Sequence, residues 1–327
     1  MSGQRYPDGG DRTPSGILDP VHSVFSGFLP IWIITAFGWA AGRFDLLGDQ
    51  AQQVLGRFAF TFAMPSLLFL TMAKSRPSDL AQPGVAVFAL SLLAVFAAGL
   101  VASGRLFGRK RAEQAIGAMG ASYVNSANLG IPVAVHVLHD TSFIVAAALF
   151  QMLFITPLIL VIIELDVRRD APGRWLRMLQ LPLRKPVVGA SAAGAAVAAL
   201  GLGLPTEVTS PLAVLGGGAV PAALFALGMS LTARTAAAPG ERAERTLLVT
   251  LKTAVQPLLA YALGRWAFGL GGPELFAVVL CAGLPTAQNA FVFASEYRLD
   301  AALPRDTVLL STLLSMATLS LTAVLLG

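Results

Sequence analysis

Apolar runs of about 20 residues alternate with short polar links along almost the whole chain, and a helix of that length crosses the hydrocarbon core of a bilayer. Residues 80–104, 141–163, 186–206, 208–233, 275–295 and 307–327 contain no Asp, Glu, Lys, Arg or His. Residues 20–42 contain only His22, residues 114–139 only His136 and His139, residues 54–73 only Arg57, and residues 246–264 only Lys252. This pattern predicts ten membrane-spanning helices, spans 1 to 10 in chain order. Residues 1–19 are polar and rich in Gly and Pro, which predicts a disordered tail rather than a signal peptide. Residues 164–185 form the longest link and divide the chain into two five-span groups, 20–163 and 186–327.

Composition agrees. The chain of 327 residues is 55% hydrophobic and 13% charged, with a mean hydropathy of +0.71. A soluble domain carries about 25% charged residues, so a soluble enzyme is excluded. Cys281 is the single cysteine and excludes an intramolecular disulfide. The net charge of +5 comes with no basic stretch interleaved with aromatics, so nucleic acid is not an expected partner. With Arg57 and Lys252 assigned to helix ends, the links after spans 1, 3, 5, 7 and 9 hold 18 of the 23 basic residues. The positive-inside rule then puts those links in the cytoplasm and both termini outside the cell (inner) membrane.

Two features divide the chain in the same way. Span 2 reads Pro65-Ser-Leu-Leu-Phe69 and span 7 reads Pro221-Ala-Ala-Leu-Phe225, at matching places in the two groups. A repeat of five spans must enter the membrane from opposite sides in its two copies. The fourth span of each group carries a polar, Gly- and Pro-bearing interruption: Tyr123-Val-Asn-Ser-Ala-Asn-Leu-Gly-Ile-Pro132 in span 4 and Gly283-Leu-Pro-Thr-Ala-Gln-Asn289 in span 9. Such a break survives in lipid only where protein buries it or where it lines a cavity.

At these residues the chain resembles the auxin efflux carrier family of membrane transporters, in a bacterial-type version with a short central link. The resemblance rests on 65–69, 125–132, 221–231, 252–257, 284–297 and 311–315. It implies an all-α fold of ten helices in two inverted repeats, similar to bile-acid/sodium symporters, with spans 4 and 9 broken and crossing. It also implies a small organic anion, such as an auxin-like acid or a malate- or malonate-type carboxylate, as substrate. It assigns Asn128, Pro132, Pro285 and Asn289 to the crossover.

From the residues themselves, Asn125, Asn128, Gln288 and Asn289 are the expected substrate-binding amides. Gly130, Pro132, Pro285 and Thr286 are the expected break. Half-helix N-termini at the break present unpaired N–H donors and partial positive charge, so a carboxylate is favoured without a fixed cation. The breaks hold no carboxylate, which argues against carboxylate-based proton exchange at the crossover. Gln151 is expected to glue helices together or to support the crossover. Lys252 is expected to snorkel to the cytoplasmic interface, with a supporting role at the site as the other reading. His136 is expected to be packed or interfacial. Glu296 is expected to follow span 9 and face water. No metal, cofactor or catalytic group is expected: His-Glu-x-x-His, Gly-x-Ser-x-Gly and a paired intramembrane Asp are all missing from the sequence. The expected partners are the anion and the lipid bilayer, with a homodimer left open. A carrier of organic anions is the leading function, and a sodium-coupled symporter of the bile-acid type is the alternative.

Overall fold

A computed structural model describes residues 18–48, 50–74, 81–138, 140–167, 186–232 and 240–327. Each predicted span falls on a helix or a pair of half-helices. They are α1 (Leu18–Arg43), α2 (Ala51–Ala73), α3 (Pro83–Arg105), α4a (Arg111–Ser122) with α4b (Ser126–Leu138), and α5 (Ser142–Val167) in the first group. The second group holds α6 (Pro186–Ala199), α7 (Thr206–Ser230), α8 (Glu241–Ala267), α9a (Gly272–Gly283) with α9b (Asn289–Glu296), and α10 (Ala302–Leu326). Six of the helices, α2, α3, α5, α7, α8 and α10, are long and apolar enough to cross a membrane. Large apolar side chains such as Phe37, Val214, Leu258 and Trp266 point outward, as a lipid-facing surface requires. Of the predicted 1–19 tail, residues 1–17 lie outside the described residues, as does most of the 164–185 link, and Leu18 and Asp19 already belong to α1.

Several helix ends differ from the reading of the sequence by a few residues. The sixth helix stops at Ala199, because Gly201 takes a left-handed φ of +64° and Pro205 disfavours helix before it. The fifth helix runs through Glu164 and Asp166 to Val167, since charged residues are tolerated once a helix leaves the apolar layer.

Proline shapes these helices in a regular way. A π-helical turn precedes Pro65, Pro132, Pro157 and Pro257, at Ala59–Ala63, Ser126–Gly130, Gln151–Ile155 and Leu251–Val255. In each case the residue just before the proline donates its N–H five residues back instead of four. The widened turn makes room for the pyrrolidine ring and absorbs the donor that proline lacks. The helix therefore continues past these prolines.

Packing follows two matched pairs. α1 lies along α7, and α6 lies along α2. Both contacts depend on glycine. A Cβ at Gly38 would overlap the Phe225 carbonyl, and one at Gly228 would overlap the Thr35 carbonyl. A Cβ at Gly194 in α6 would overlap the Phe69 carbonyl in α2. Small residues let helix backbones approach closely where lipid removes the hydrophobic drive for association. The remaining helices form the other part of the bundle. There α3 packs on α4a, α8 on α9a, α4a on α5, and α9a on α10.

Described residues at the ends of α3, α5, α7, α8 and α9b meet one another. Arg109 after α3 bonds Glu244 of α8 at 2.8 Å and Asp300 after α9b at 3.4 Å. The Tyr297 hydroxyl donates to Glu164 at the end of α5 at 3.1 Å. Arg305 donates to the Ser230 carbonyl at the end of α7 at 2.9 Å. Burial opposes the charge of Arg109, but its bond to Glu244 and the negative charges of Glu244, Asp300 and Glu113 together outweigh this and raise its pKa.

Gly228→Leu and Gly194→Leu should each lower stability by about 3 kcal/mol or more, because the obstacle is backbone. Gly217→Ala, where a Cβ meets nothing within 4 Å, should be neutral or mildly stabilising. Thermal unfolding of purified protein in detergent checks the contrast. Equal melting temperatures for all three would refute the close-packing account.

Candidate functional site: two broken helices tied to each other

Between α4a and α4b, residues Tyr123–Asn125 leave the helical path. Between α9a and α9b, Leu284–Gln288 do the same. The two stretches run antiparallel and pair at Val124 and Thr286. The Asn125 N–H donates to the Pro285 carbonyl at 2.9 Å, and the Ala287 N–H donates to the Tyr123 carbonyl at 3.1 Å. Each break thus satisfies backbone groups of the other, which lipid cannot do.

The next helix along supports each break in a matching manner. From α5, Gln151 accepts the Val124 N–H at 2.8 Å and donates to the Val124 carbonyl at 3.2 Å and the Ser126 hydroxyl at 2.9 Å. From α10, the Ser311 hydroxyl accepts the Thr286 N–H at 3.1 Å. The Thr286 hydroxyl donates to the Gly120 carbonyl at 2.5 Å, closing an orphan acceptor at the end of α4a. Thr286 and Gln151 are therefore fasteners whose polar atoms are spent. Gly130 serves close approach as well: a Cβ there would sit 2.8 Å from Leu284 and 2.9 Å from Ile144.

Both second halves point their N-termini at the crossing. Asn125 precedes α4b, and Gln288 and Asn289 open α9b. Gln288 is buried, and its Oε1 has no partner. Asn125 is buried, and its side chain makes no hydrogen bond among the described residues. The Tyr123 hydroxyl shares a hydrogen bond with Thr156 at 2.9 Å and also meets the half-buried Asn289. These are neutral donors and acceptors beside two positive dipole ends, a setting that suits an anion.

The profile of the membrane transport protein family matches residues 23–172 and 175–323. The chain belongs to this family of transporters. An "Uncharacterized transporter" of Methanothermobacter thermautotrophicus is 26% identical over 303 residues, covering 91% of this chain and 97% of that protein. A "Putative malonate transporter" of Rhizobium meliloti is 26% identical over 304 residues, covering 89% of this chain and 92% of that protein. The helices and the family together make this transporter a multi-pass membrane protein.

The site differs from its sequence-based outline in three respects. Pro132 does not mark the break: the backbone departs from helix at Tyr123–Asn125, and Pro132 lies within helical Ile131–Val133. Pro285 does lie in a break. Lys252 does not snorkel. It has no exposed surface, and its Nζ donates to Gln256 Oε1 at 2.6 Å and to the Ala282 carbonyl at 2.7 Å. Ala282 is in the last turn of α9a, so a basic side chain caps the carbonyl end of one half-helix beside the break. The site is thus not without a basic group. The signal was legible as Lys252 and Gln256 four residues apart on one helical face inside an apolar run. Glu296 is half-buried at the end of α9b. With Gln52, Gln53, Arg57, Ser295 and Arg298 it lines a crevice of about 230 Å³ on the link face. Sequence reasoning missed this crevice, because its residues come from α2 and from the end of α9b. Gln288, Phe291 and Ser295 follow one helical face from the crossing towards it.

Asn128 and His136 lie in the π-helical turns Ser126–Gly130 and Ala134–Leu138. The surroundings of their side chains are outside the described residues. Among the described residues no group of three His, Cys, Asp or Glu could hold a metal ion. Cys281 is buried, as a small apolar residue would be.

Gln151→Leu should destabilise the transporter by about 2–3 kcal/mol, since it strands the buried Val124 N–H and two further groups. Ser311→Ala should cost about half as much. Melting temperatures and yields of folded protein check this. A fully stable Gln151→Leu variant would show that the α4 break needs no side-chain support.

Proposed function

We propose that this transporter is a secondary carrier for a small organic anion of the carboxylate class, working by alternating access. Its ten helices all cross the cell membrane, as two inverted five-helix repeats with both termini extracytoplasmic. The observation that carries the reading is the pair of buried, mutually hydrogen-bonded breaks, with Asn125 and Gln288-Asn289 at two half-helix N-termini. That is a built anion site near the centre of the bundle. Asn128, one turn along α4b, belongs to the same amide set.

The repeat reading draws support from the pairing of helices. Exchanging the two groups turns the α1–α7 contact into α6–α2, α3–α4a into α8–α9a, and α4a–α5 into α9a–α10. It also turns Gln151 on Val124 into Ser311 on Thr286. The relative named for malonate supports a carboxylate, and the Arg57 and Arg298 crevice offers an approach from the link face. The buried, unpartnered Oε1 of Gln288 also suits a sodium ion, so a sodium-coupled organic-anion symporter is the second reading.

Malonate and a panel of monocarboxylates should raise the melting temperature of the purified protein. Asn289→Asp and Asn125→Asp should each weaken anion binding about 10- to 100-fold, because two like charges about 4 Å apart repel strongly even at an effective dielectric near 20. Replacement by Ser should cost less. Parent-like anion binding by both Asp variants near pH 8 would refute the crossover as the anion site. Sodium-dependent binding in the parent would favour the symporter.

Orientation is tested separately in a Cys281→Ser background. An impermeant thiol reagent applied to intact cells should label Leu200→Cys, after α6, and spare Leu106→Cys, after α3. Both positions are exposed. The reverse labelling would invert the topology.

A further inference from the structure

Lys252 is the feature that the carrier reading leaves without a role. Its nitrogen is sealed from solvent and has two acceptors, Gln256 Oε1 and the Ala282 carbonyl. A neutral amine has two N–H groups, and both are matched here. An ammonium has three, and the third finds no partner among the described residues. The two acceptors are neutral, and no carboxylate among the described residues pairs with Lys252. A membrane-buried ammonium without a counter-ion is costly.

The groups on the packed elements do not supply a counter-ion. Cys281 of α9a is the titratable side chain that faces Lys252. Arg105 on α3, Arg111 and Glu113 on α4a, and Arg305 and Asp306 on α10 lie at helix ends. So do Glu241, Arg242, Glu244 and Arg245 on α8, and Glu274 on α9a. Arg245 on α8 and Glu274 on α9a are each seven residues along the helix from Lys252 and Cys281, about 10 Å at 1.5 Å per residue. Arg245 is also engaged by Asp306, and Glu244 by Arg109. The two halves differ at this point. In α3, the counterpart of α8 by exchange of the groups, residues 83–104 carry no charge.

An anion held at the crossing changes the balance. Ala282 adjoins the α9 break, so an anion among Asn125, Gln288 and Asn289 would be a charge of opposite sign close to Lys252. That favours the ammonium.

We propose that Lys252 takes up a proton when the organic anion binds at the crossing and gives it up when the anion leaves, so that the carrier moves its anion together with a proton. The proposal rests on the carrier reading above. The amine lone pair forms one N–H bond with a proton drawn from water on the side to which the site is open. On the other side that N–H bond breaks and the proton returns to water. One O–H bond of hydronium balances each step, broken on uptake and formed on release. In the present conformation the nitrogen is closed to solvent, so it cannot leak its proton between the two sides.

The test is calorimetric titration of malonate into the purified full-length protein near pH 8, where both malonate carboxylates are ionised, in two buffers of different ionisation heat. The parent should take up a proton, up to about one per anion, and malonate affinity should fall as pH rises further, by linkage. Lys252→Arg, which stays charged, and Lys252→Met, which binds no proton, should bind malonate without net proton uptake and with an affinity independent of pH. Melting temperatures identify a variant that fails to fold, and in that case the parent alone decides. Malonate binding by the parent with no proton uptake between about pH 7 and 9 overturns the coupling and leaves the carrier reading intact. Unchanged proton uptake in a folded Lys252→Arg variant also overturns it. Binding of no carboxylate at all by folded parent overturns the carrier reading and the coupling with it.

Discussion

Inside a bilayer every backbone N–H and C=O must find a protein partner, and the rest of this structure is organised around the two places where helix cannot supply one. α4 and α9 both open in mid-span, and each leaves donors and acceptors that would cost several kcal/mol apiece in hydrocarbon. They are satisfied by each other. The antiparallel pairing at Val124 and Thr286 takes the central groups, and Gln151 and Ser311 reach in from the flanking helices for the next ones. What remains unspent, the amides of Asn125 and Gln288 and the N–H groups of the second half-helices, is then available to a ligand. The same constraint that makes the breaks costly makes them the proposed binding site.

Four other prolines of the bundle show the contrasting solution. Pro65, Pro132, Pro157 and Pro257 each follow a π-helical turn, so the helix widens locally and continues. A proline in a membrane helix thus opens the backbone at Pro285 and leaves it closed at Pro132. The difference is not in the residue. Pro285 faces a second opened backbone whose Asn125 N–H donates to its carbonyl, and Pro132 has a widened turn behind it.

Charge divides the two halves more sharply than the helices do. Helix pairing is matched under exchange of the five-helix groups, and so is the support of the two breaks. Lys252 is not matched: it caps the carbonyl end of α9a, and α3 offers no counterpart. A carrier built from two equivalent halves has equivalent access from both sides of the membrane. In the proposed carrier, one basic group at one of two breaks links the anion to a proton.

Much of this was legible along the chain. Ten charge-poor stretches located the helices within a few residues, because a helix in lipid needs an unbroken apolar run and the chain has little else. The polar interruptions at Tyr123–Pro132 and Gly283–Asn289 located the two openings, and Gln151 stood out as a lone amide in an apolar span. Family membership was carried by those same residues. Three things were decided only in three dimensions. Which residue of a break leaves the helix depended on the pairing of Val124 with Thr286, residues 162 positions apart. The end of α6 depended on a left-handed Gly201 that composition alone reads as one more apolar residue. The fate of Lys252 depended on a carbonyl 30 residues away. Lys252 lies near the middle of α8, and a lysine there turns inward where an unpaired carbonyl lies within reach. Hydropathy records how apolar a stretch is, and it does not record which neighbouring helix has been left with an acceptor to fill.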